Sequence, residues 1–370
     1  MYTYEKFYDH FVIKKDNEIL YHVDSESEAK KDIFLLKSEN IDSESININE
    51  KNYTVYHLHS TFSLLDSTTN YRDYIDYAVK LGQKAICITE HGNLYSWANK
   101  WMYARSKGLK YMIGAEFYLT ETLEEKIRDN YHTVLIAKNA DGVKELFELN
   151  KISTKDRTFG ADCHIYYKNR ITFEEFLNIS DNIIKISACL QSPLWKYWNK
   201  VDNNECYYDN GSEWLDKLLK HYDYYEIQYH NNPEQIAFNK RLYEASKKYN
   251  KPLIVGTDTH SLNQYKAECR TVLQYGKTDR AWGDEENECD LTYKTYTELV
   301  DMFKIQDSLP MDVVLEAIEN TNRMADTVVD DYDIDTKTAK YPILYGDKDE
   351  EVMWERINNG YKEKVAIGEI

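Results

Sequence analysis

From Tyr53 onward, short apolar runs alternate with longer runs of helical spacing. No other feature narrows the possible folds of this chain as much. The short runs are YTVYHLH (53–59), KAICIT (84–89), YMIGAEFYL (111–119), HTVLIAK (132–138), NIIKIS (182–187), YYEIQYH (224–230) and PLIVGTD (252–258). They are rich in β-branched and aromatic residues, which suits strands. Between them, YRDYIDYAVKLG (71–82), LYSWANKWMYARSKG (94–108), ADGVKELFELN (140–150), EWLDKLLKHY (213–222) and PEQIAFNKRLYEASKKY (233–249) space their apolar residues as helices do. Helical crossovers join parallel strands, so the alternation predicts an α/β fold on a largely parallel sheet. With seven such runs, a barrel is favoured over an open sheet. No G-x-G-x-x-G or G-x-x-x-x-G-K loop occurs, which argues against a Rossmann or P-loop enzyme.

Residues 1–52 are different. SESEAKKD and SENIDSESININE read as surface or linker, with room for a small extension domain. The start of the chain lacks the basic-then-apolar layout of a signal peptide, and no apolar stretch approaches the length of a membrane span. The six cysteines form no C-x-x-C pair and read as reduced thiols of a cytoplasmic protein. A net charge of -18 argues against broad coating of nucleic acid. It leaves open a strand end or a nucleotide entering a metal-lined pocket, where cations reverse the local sign.

The chemistry-bearing residues stand at the strand ends. In YHLHSTFSLLD (56–66), period two puts His57 and His59 on one face and Leu58 on the other. Two such imidazoles can grip a metal, or they can be the polar face of a half-exposed sheet. The rest of the chain decides between these. TEHGN brings His91, GAEFY brings Glu116, a strand begins at His132, and ISAC brings Cys189. EIQYH carries Glu226 and His230, and GTDTH carries Asp258 and His260. A lone buried histidine or cysteine is usually a core residue. Five of the ten histidines at strand ends, with Asp66, Glu116, Cys189 and Asp258, make a ligand set for zinc or its first-row neighbours.

Taken in order, HLHSTFSLLD, ITEHGN, GAEFYLT, HTVLIAKN, ISAC, EIQYH and GTDTH closely resemble the PHP (polymerase and histidinol phosphatase) domain. The form they resemble stands at the N-terminus of bacterial-type DNA polymerase III alpha subunits. The likeness covers residues 53–272. It implies a distorted (β/α)7 barrel, preceded by an N-terminal extension (1–52) and followed by a mainly helical connector (273–370) like the one that leads into the polymerase palm. It also implies two to three divalent transition metals, zinc, manganese or iron. Nine positions carry over as ligands: His57, His59, Asp66, His91, Glu116, His132, Cys189, Asp258 and His260. Of these, His57, His59, Glu116 and Asp258 are assigned to the more buried pair of metals, with His57, His59 and Asp258 as catalytic residues. The family's TDHGN and SGC motifs read TEHGN and SAC here, so Glu90 and Ala188 depart from the pattern outside the ligand set. Glu226 and His230 are expected to orient ligands. Arg105, Lys107 and Lys110 are candidates to meet substrate phosphate, against the plainer reading of a solvated helix end.

The resemblance implies a metal-dependent phosphoesterase, foremost a 3′–5′ exonuclease or phosphodiesterase of a replication protein. Its substrate would be a DNA 3′ end or a nucleotide-type phosphate, and its partners other polymerase subunits. Two alternatives stand beside it: a non-catalytic, metal-stabilised scaffold of a split polymerase, and a small-molecule phosphatase of the histidinol-phosphatase type. VVDDYDID (328–335) reads as solvated connector rather than as palm carboxylates, so no polymerase activity is expected from this chain alone. The expectation for the whole is a split or truncated polymerase piece, phage-encoded, or a freestanding relative.

Overall fold

The computed structural model describes residues 2–7, 10–15, 18–23, 51–124, 127–155, 163–278, 289–335 and 343–370. The first three segments are strands β1 (Tyr2–Phe7), β2 (His10–Lys15) and β3 (Glu18–Val23), paired antiparallel in that order. The extension is thus partly sheet. The polar runs SESEAKKD and SENIDSESININE lie outside the described residues.

The next elements are α1 (Tyr71–Lys80), β4 (Ala85–Cys87), α2 (Trp97–Ser106), β5 (Lys110–Met112), β6 (Gly114–Thr120), β7 (Tyr131–Ala137) and α3 (Ala140–Ser153). Then come β8 (Ile165–Tyr166), β9 (Lys168–Thr172), α4 (Phe173–Leu177), β10 (Ile183–Ile186), α5 (Lys196–Asn203), α6 (Gly211–His221), β11 (Tyr225–Ile227), α7 (Pro233–Tyr249), β12 (Leu253–Val255) and α8 (Gln264–Thr278). Local chemistry sets the helix starts. Asn70, Asn139 and Asn232 each cap a helix with the side-chain oxygen, and Pro233 follows the last of them at the first helical position.

The pairings run in a ring. Val55 bridges Ile86 of β4, β4 pairs parallel with β5, and His91 bridges Glu116 of β6. β6 pairs antiparallel with β7, and β7 antiparallel with β10. Ile186 bridges Tyr224, β11 pairs parallel with β12, and Thr259 bridges Leu58, where the ring began. These are short ladders joined by single bridges rather than one continuous sheet. The inner layer is apolar, with Val134, Leu135, Ile136, Ile183, Ile186, Ile227 and Ile254 buried. Each such side chain is worth about 1.5–3 kcal/mol against exposure.

Several expectations change in detail. The run Tyr53–His59 is held by bridges at Val55 and Leu58 rather than by a ladder, although His59 N still donates to Thr259 O at 2.8 Å. YMIGAEFYL breaks in two at Ile113, whose N–H goes to Tyr332 Oη at 3.0 Å. The sheet is mixed rather than largely parallel. No helix separates β6 from β7, so the chain turns back directly and the two strands run antiparallel. The β8–β9 hairpin, with β9 parallel to β6, did not emerge from the sequence pattern.

After α8 come α9 (Tyr296–Gln306) and α10 (Met311–Asp326), which dock on the strands. Thr54 N donates to Thr321 Oγ1 at 2.9 Å, and Asn320 Nδ2 to Leu253 O at 2.8 Å. VVDDYDID is not solvated throughout. Val328 and Tyr332 are buried, and Tyr332 Oη donates to Ala137 O at 2.9 Å. Met1–Tyr332 forms one compact unit. The second unit, Asp333–Ile370, holds a 3-10 turn (Gly346–Lys348) and α11 (Asp349–Ala366), with no buried side chain in either. Among the described residues, no helix is long and apolar enough to cross a membrane.

Candidate metal centre

The strand-end residues converge. His57 and His59 lie on one face of their extended segment, as period two requires, while Leu58 is buried on the other. His57 Nε2 stands 3.0 Å from Glu116 Oε2 and 3.2 Å from Asp258 Oδ1. His59 Nε2 stands 3.1 and 3.2 Å from the same two oxygens. Glu116 comes from the start of β6 and Asp258 from just beyond β12. Asp258 has φ +45, a conformation a non-glycine residue holds only when its surroundings fix it.

A second group adjoins the first. The His59 ring stacks on His91 at 4.0 Å and on His260 at 4.4 Å. Asp66 Oδ2 reaches His91 Nε2 at 2.9 Å and His260 Nε2 at 3.2 Å. On the far side, Glu116 Oε1 pairs closely with His132 Nδ1, and Cys189 Sγ lies 3.7 Å from that nitrogen. All nine ligand candidates therefore belong to one connected cluster.

Outer groups aim the imidazoles. Glu226 Oε1 takes His57 Nδ1 at 2.8 Å and accepts from Gln228 Nε2 at 2.7 Å, while Glu226 Oε2 accepts from Tyr56 Oη at 2.9 Å. Ser63 Oγ meets His59 Nδ1 at 3.0 Å, and the Asp258 carbonyl accepts from His260 Nδ1 at 2.7 Å. Each bond leaves the other ring nitrogen facing the centre. Glu90 is buried in an ion pair with Lys100 at 2.5 Å and accepts from Ser60 and Ser63. It thereby orders the loop that supports His59.

The electrostatics favour positive charge at the centre. Burial alone would raise the Glu116 carboxyl, yet His132 and His91 hold it well below the usual carboxylate range. Burial likewise opposes ionisation of Asp258 and Asp66, and it is outweighed by His57, His59 and His260 for the first and by His260, His91 and Arg270 for the second. Burial works against a charge on His57, but Asp258 and Glu226 lift its pKa well above that of an ordinary imidazole. Burial also pushes the Cys189 thiol well up, so it needs a cation beside it to ionise.

Other expectations fare differently. His230 is buried but hydrogen-bonds to no ligand candidate, and its Nδ1 has no partner. Its carbonyl instead accepts from Gln306 Nε2 at 2.6 Å. Arg105, Lys107 and Lys110 are not brought to the cluster. They pair with Asp331 at 2.8 Å, Asp76 at 3.0 Å and Asp330 at 3.1 Å, around the end of α2 and the start of β5. Arg270 and Gln274 of α8 were missed. They grip Asp66 Oδ1 at 2.6 and 2.9 Å. A lone Arg and Gln within a helical pattern carry no sequence signal of such a role.

The donor set fits metal ions. One ligand atom from each of His57, His59, Glu116 and Asp258 lies within 4.8 Å of the others, and the same holds for His59, His91 and His260. His59 Nε2, His91 Nδ1, Glu116 Oε1 and Asp258 Oδ1 are buried polar atoms that make no hydrogen bond. Polar atoms so placed call for another partner. Imidazole, carboxylate and thiolate together suit a divalent transition metal better than magnesium.

The sequence model of the PHP domain family matches residues 56–230. The DNA polymerase III alpha subunit of Aquifex aeolicus (strain VF5) is 32% identical over 237 residues, which cover 60% of this chain and 19% of that one. The alpha subunit of Borreliella burgdorferi is 31% identical over 300 residues, covering 78% and 24%. The match thus spans about a fifth to a quarter of the length of these relatives. Among solved structures, an amidohydrolase from Chromobacterium violaceum gives a TM-score of 0.37 at 11% identity, over 56% of this chain and 87% of that one.

Proposed function

We propose that this chain, whose residues 56–230 are a PHP domain homologous to the PHP-containing N-terminal region of DNA polymerase III alpha subunits, is a metal-dependent phosphoesterase acting as a 3′–5′ exonuclease. The observation that carries this reading is the set of buried ligand atoms on His59, His91, Glu116 and Asp258 that make no hydrogen bond and crowd against one another at the strand ends. On this reading the ring of strands is a (β/α)7 barrel over 53–272, followed by a connector over 273–370. The chain then works in the cytoplasm beside other replication subunits.

Two to three divalent metals held by the nine residues supply Lewis acidity and an activated water for attack on phosphorus. The chain's own residues do the rest. Glu226, Ser63 and the Asp258 carbonyl keep His57, His59 and His260 aimed inward. Arg270 holds Asp66 in place with one charge-assisted bond to its carboxylate and one to its carbonyl. The buried walls exclude bulk water, which strengthens the pull of the centre on a phosphoryl group.

Elemental analysis and hydrolysis test this together. The purified protein is expected to carry two to three metal equivalents, by family likeness, and to release nucleotides from the 3′ end of an oligonucleotide. Asp258→Asn keeps the shape, removes a charge shared by His57 and His59, and is expected to cut turnover by orders of magnitude with the fold intact. Less than one equivalent after reconstitution, or full turnover by Asp258→Asn, overturns the reading.

A further inference from the structure

Beside the metal centre, the β8–β9 hairpin presents an aromatic ring and a cation, and a second cation, Arg128, reaches it from the segment before β7. Its tip is Tyr167, with Tyr166 and Lys168 paired across it. Tyr167 has φ +62, a backbone conformation that glycine adopts freely and a tyrosine does not. Its side chain is nonetheless 64% exposed. The Arg128 guanidinium lies over the ring, 4.2 Å from the centroid, and donates to Tyr167 Oη at 2.6 Å. Lys168 Nζ lies 5.2 Å from the Tyr118 ring, and that ring lies 6.3 Å from His91 and 5.0 Å from His132. Among the described residues, no carboxylate pairs with Arg128 or Lys168, although the chain carries a net charge of -18.

This rim is fixed to the centre. Asn169 Nδ2 donates to Gly92 O at 2.6 Å, one residue from His91. The approach is so close that a Cβ on Gly92 would stand 2.7 Å from Asn169 Oδ1 and 2.9 Å from Tyr118 Cε2. Buried Arg170 donates to the carbonyls of Ile127 at 2.6 Å and Asp129 at 3.0 Å, which holds Arg128 beside the hairpin. Position, charge and exposure are thus built in.

We infer that Tyr167, Arg128 and Lys168 form a subsite for the terminal nucleotides of single-stranded nucleic acid, resting on the phosphoesterase reading above. The tyrosine ring with its guanidinium is a stacking platform for a base of any sequence. Lys168, over the Tyr118 ring that adjoins His91 and His132, neutralises a backbone phosphate. A base inside a duplex keeps both faces stacked on its neighbours, and a duplex end offers only the outer face of its last pair, held by its complement, so it fits the ring less well than an unpaired base. A small phosphomonoester needs neither ring nor second cation, so the rim selects a nucleic acid end with unpaired bases.

The test is fluorescence anisotropy of a labelled single-stranded phosphorothioate oligonucleotide with the metal-loaded full chain. Tyr167→Gly, which suits the backbone at this position, is expected to bind at least about fivefold more weakly, the loss of one stacked base. Tyr167→Phe keeps the ring and is expected to bind within about twofold of the wild type, since stacking needs the ring rather than the hydroxyl. Lys168→Ala is expected to lower the salt dependence by about one phosphate contact. Circular dichroism checks that Tyr167→Gly remains folded. Wild-type affinity in Tyr167→Gly overturns the subsite, and so does duplex competing as well as single strand, or a wild type that does not bind the strand. Hydrolysis of bis(p-nitrophenyl) phosphate by the wild type separates the two claims. Hydrolysis without strand binding removes the subsite alone, and strand binding without hydrolysis of any phosphodiester removes the phosphoesterase reading.

Discussion

His230 shows how one residue can sit near a cluster without joining it. Burial pushes its pKa down to about 4, although Asp258 and Asp290 pull upward, with Lys294 and His260 opposing them. In the unfolded chain it titrates near about 6.5. Above that pH both states are neutral and His230 adds nothing to pH dependence. As pH falls from about 6.5 to about 4, the unfolded chain takes up a proton that the folded chain refuses, so stability falls through that window. His230→Gln removes the titration, and its melting temperature is expected to drop less between pH 7 and pH 4.5 than that of the wild type. Parallel melting curves for the two proteins would show that His230 titrates normally in the fold. The sequence made His230 look like a ligand-orienting group because it ends a strand, as His57 and His260 do. It could not show that the ring turns into the packing beside Tyr229, their centroids 4.6 Å apart. For the ligand candidates themselves, residue type and strand-end position carried the information, because period two decides the face.

At the scale of elements, the junction of β11 and β12 is tightest where Gly256 faces Glu226. A Cβ on Gly256 would stand 2.1 Å from Glu226 Cδ, so the carboxylate that holds His57 fits only against a glycine. Gly256→Ala must displace Glu226 and free the His57 ring. Metal affinity, read by competition with a chromophoric chelator, is expected to fall about 10- to 100-fold with the domain still folded, as when outer partners of a ligand are lost. Unchanged affinity would mean that Glu226 does not orient His57. The strands and helices around this junction were legible, since PLIVGTD and YYEIQYH are short apolar runs bounded by polar ones. Pairing direction was not. β6 and β7 both read as strands, and only the missing helix between them hinted at an antiparallel return. The β8–β9 hairpin was invisible because its tip is a tyrosine, where turn chemistry leads one to look for glycine or asparagine.

For the whole molecule, the question is whether the chain holds a second active site. Nucleotidyl transfer needs carboxylates holding two magnesium ions beside a primer end. Among the described residues, both groups of three or more close ligand side chains lie at one centre and share His59. That centre is rich in imidazole and includes a thiol, a poor match for magnesium. The acidic residues farther along have other roles. Asp330 and Asp331 pair with Lys110 and Arg105, and Asp349, Glu350 and Glu351 occupy the first turn of α11, where negative charge complements the helix dipole. The segment read as a solvated connector, 328–335, instead packs on the strands through buried Val328 and Tyr332, and the helix before it bonds to them through Asn320 and Thr321. Side-chain to backbone bonds of this kind follow no sequence period, so only the fold reveals them. The isolated chain is therefore expected to give no primer extension with all four nucleotides and magnesium, although its relatives are polymerase subunits. A primer-extension gel measures this directly. Template-dependent elongation that survives Asp258→Asn would mean that a separate carboxylate site operates outside the histidine-rich cluster.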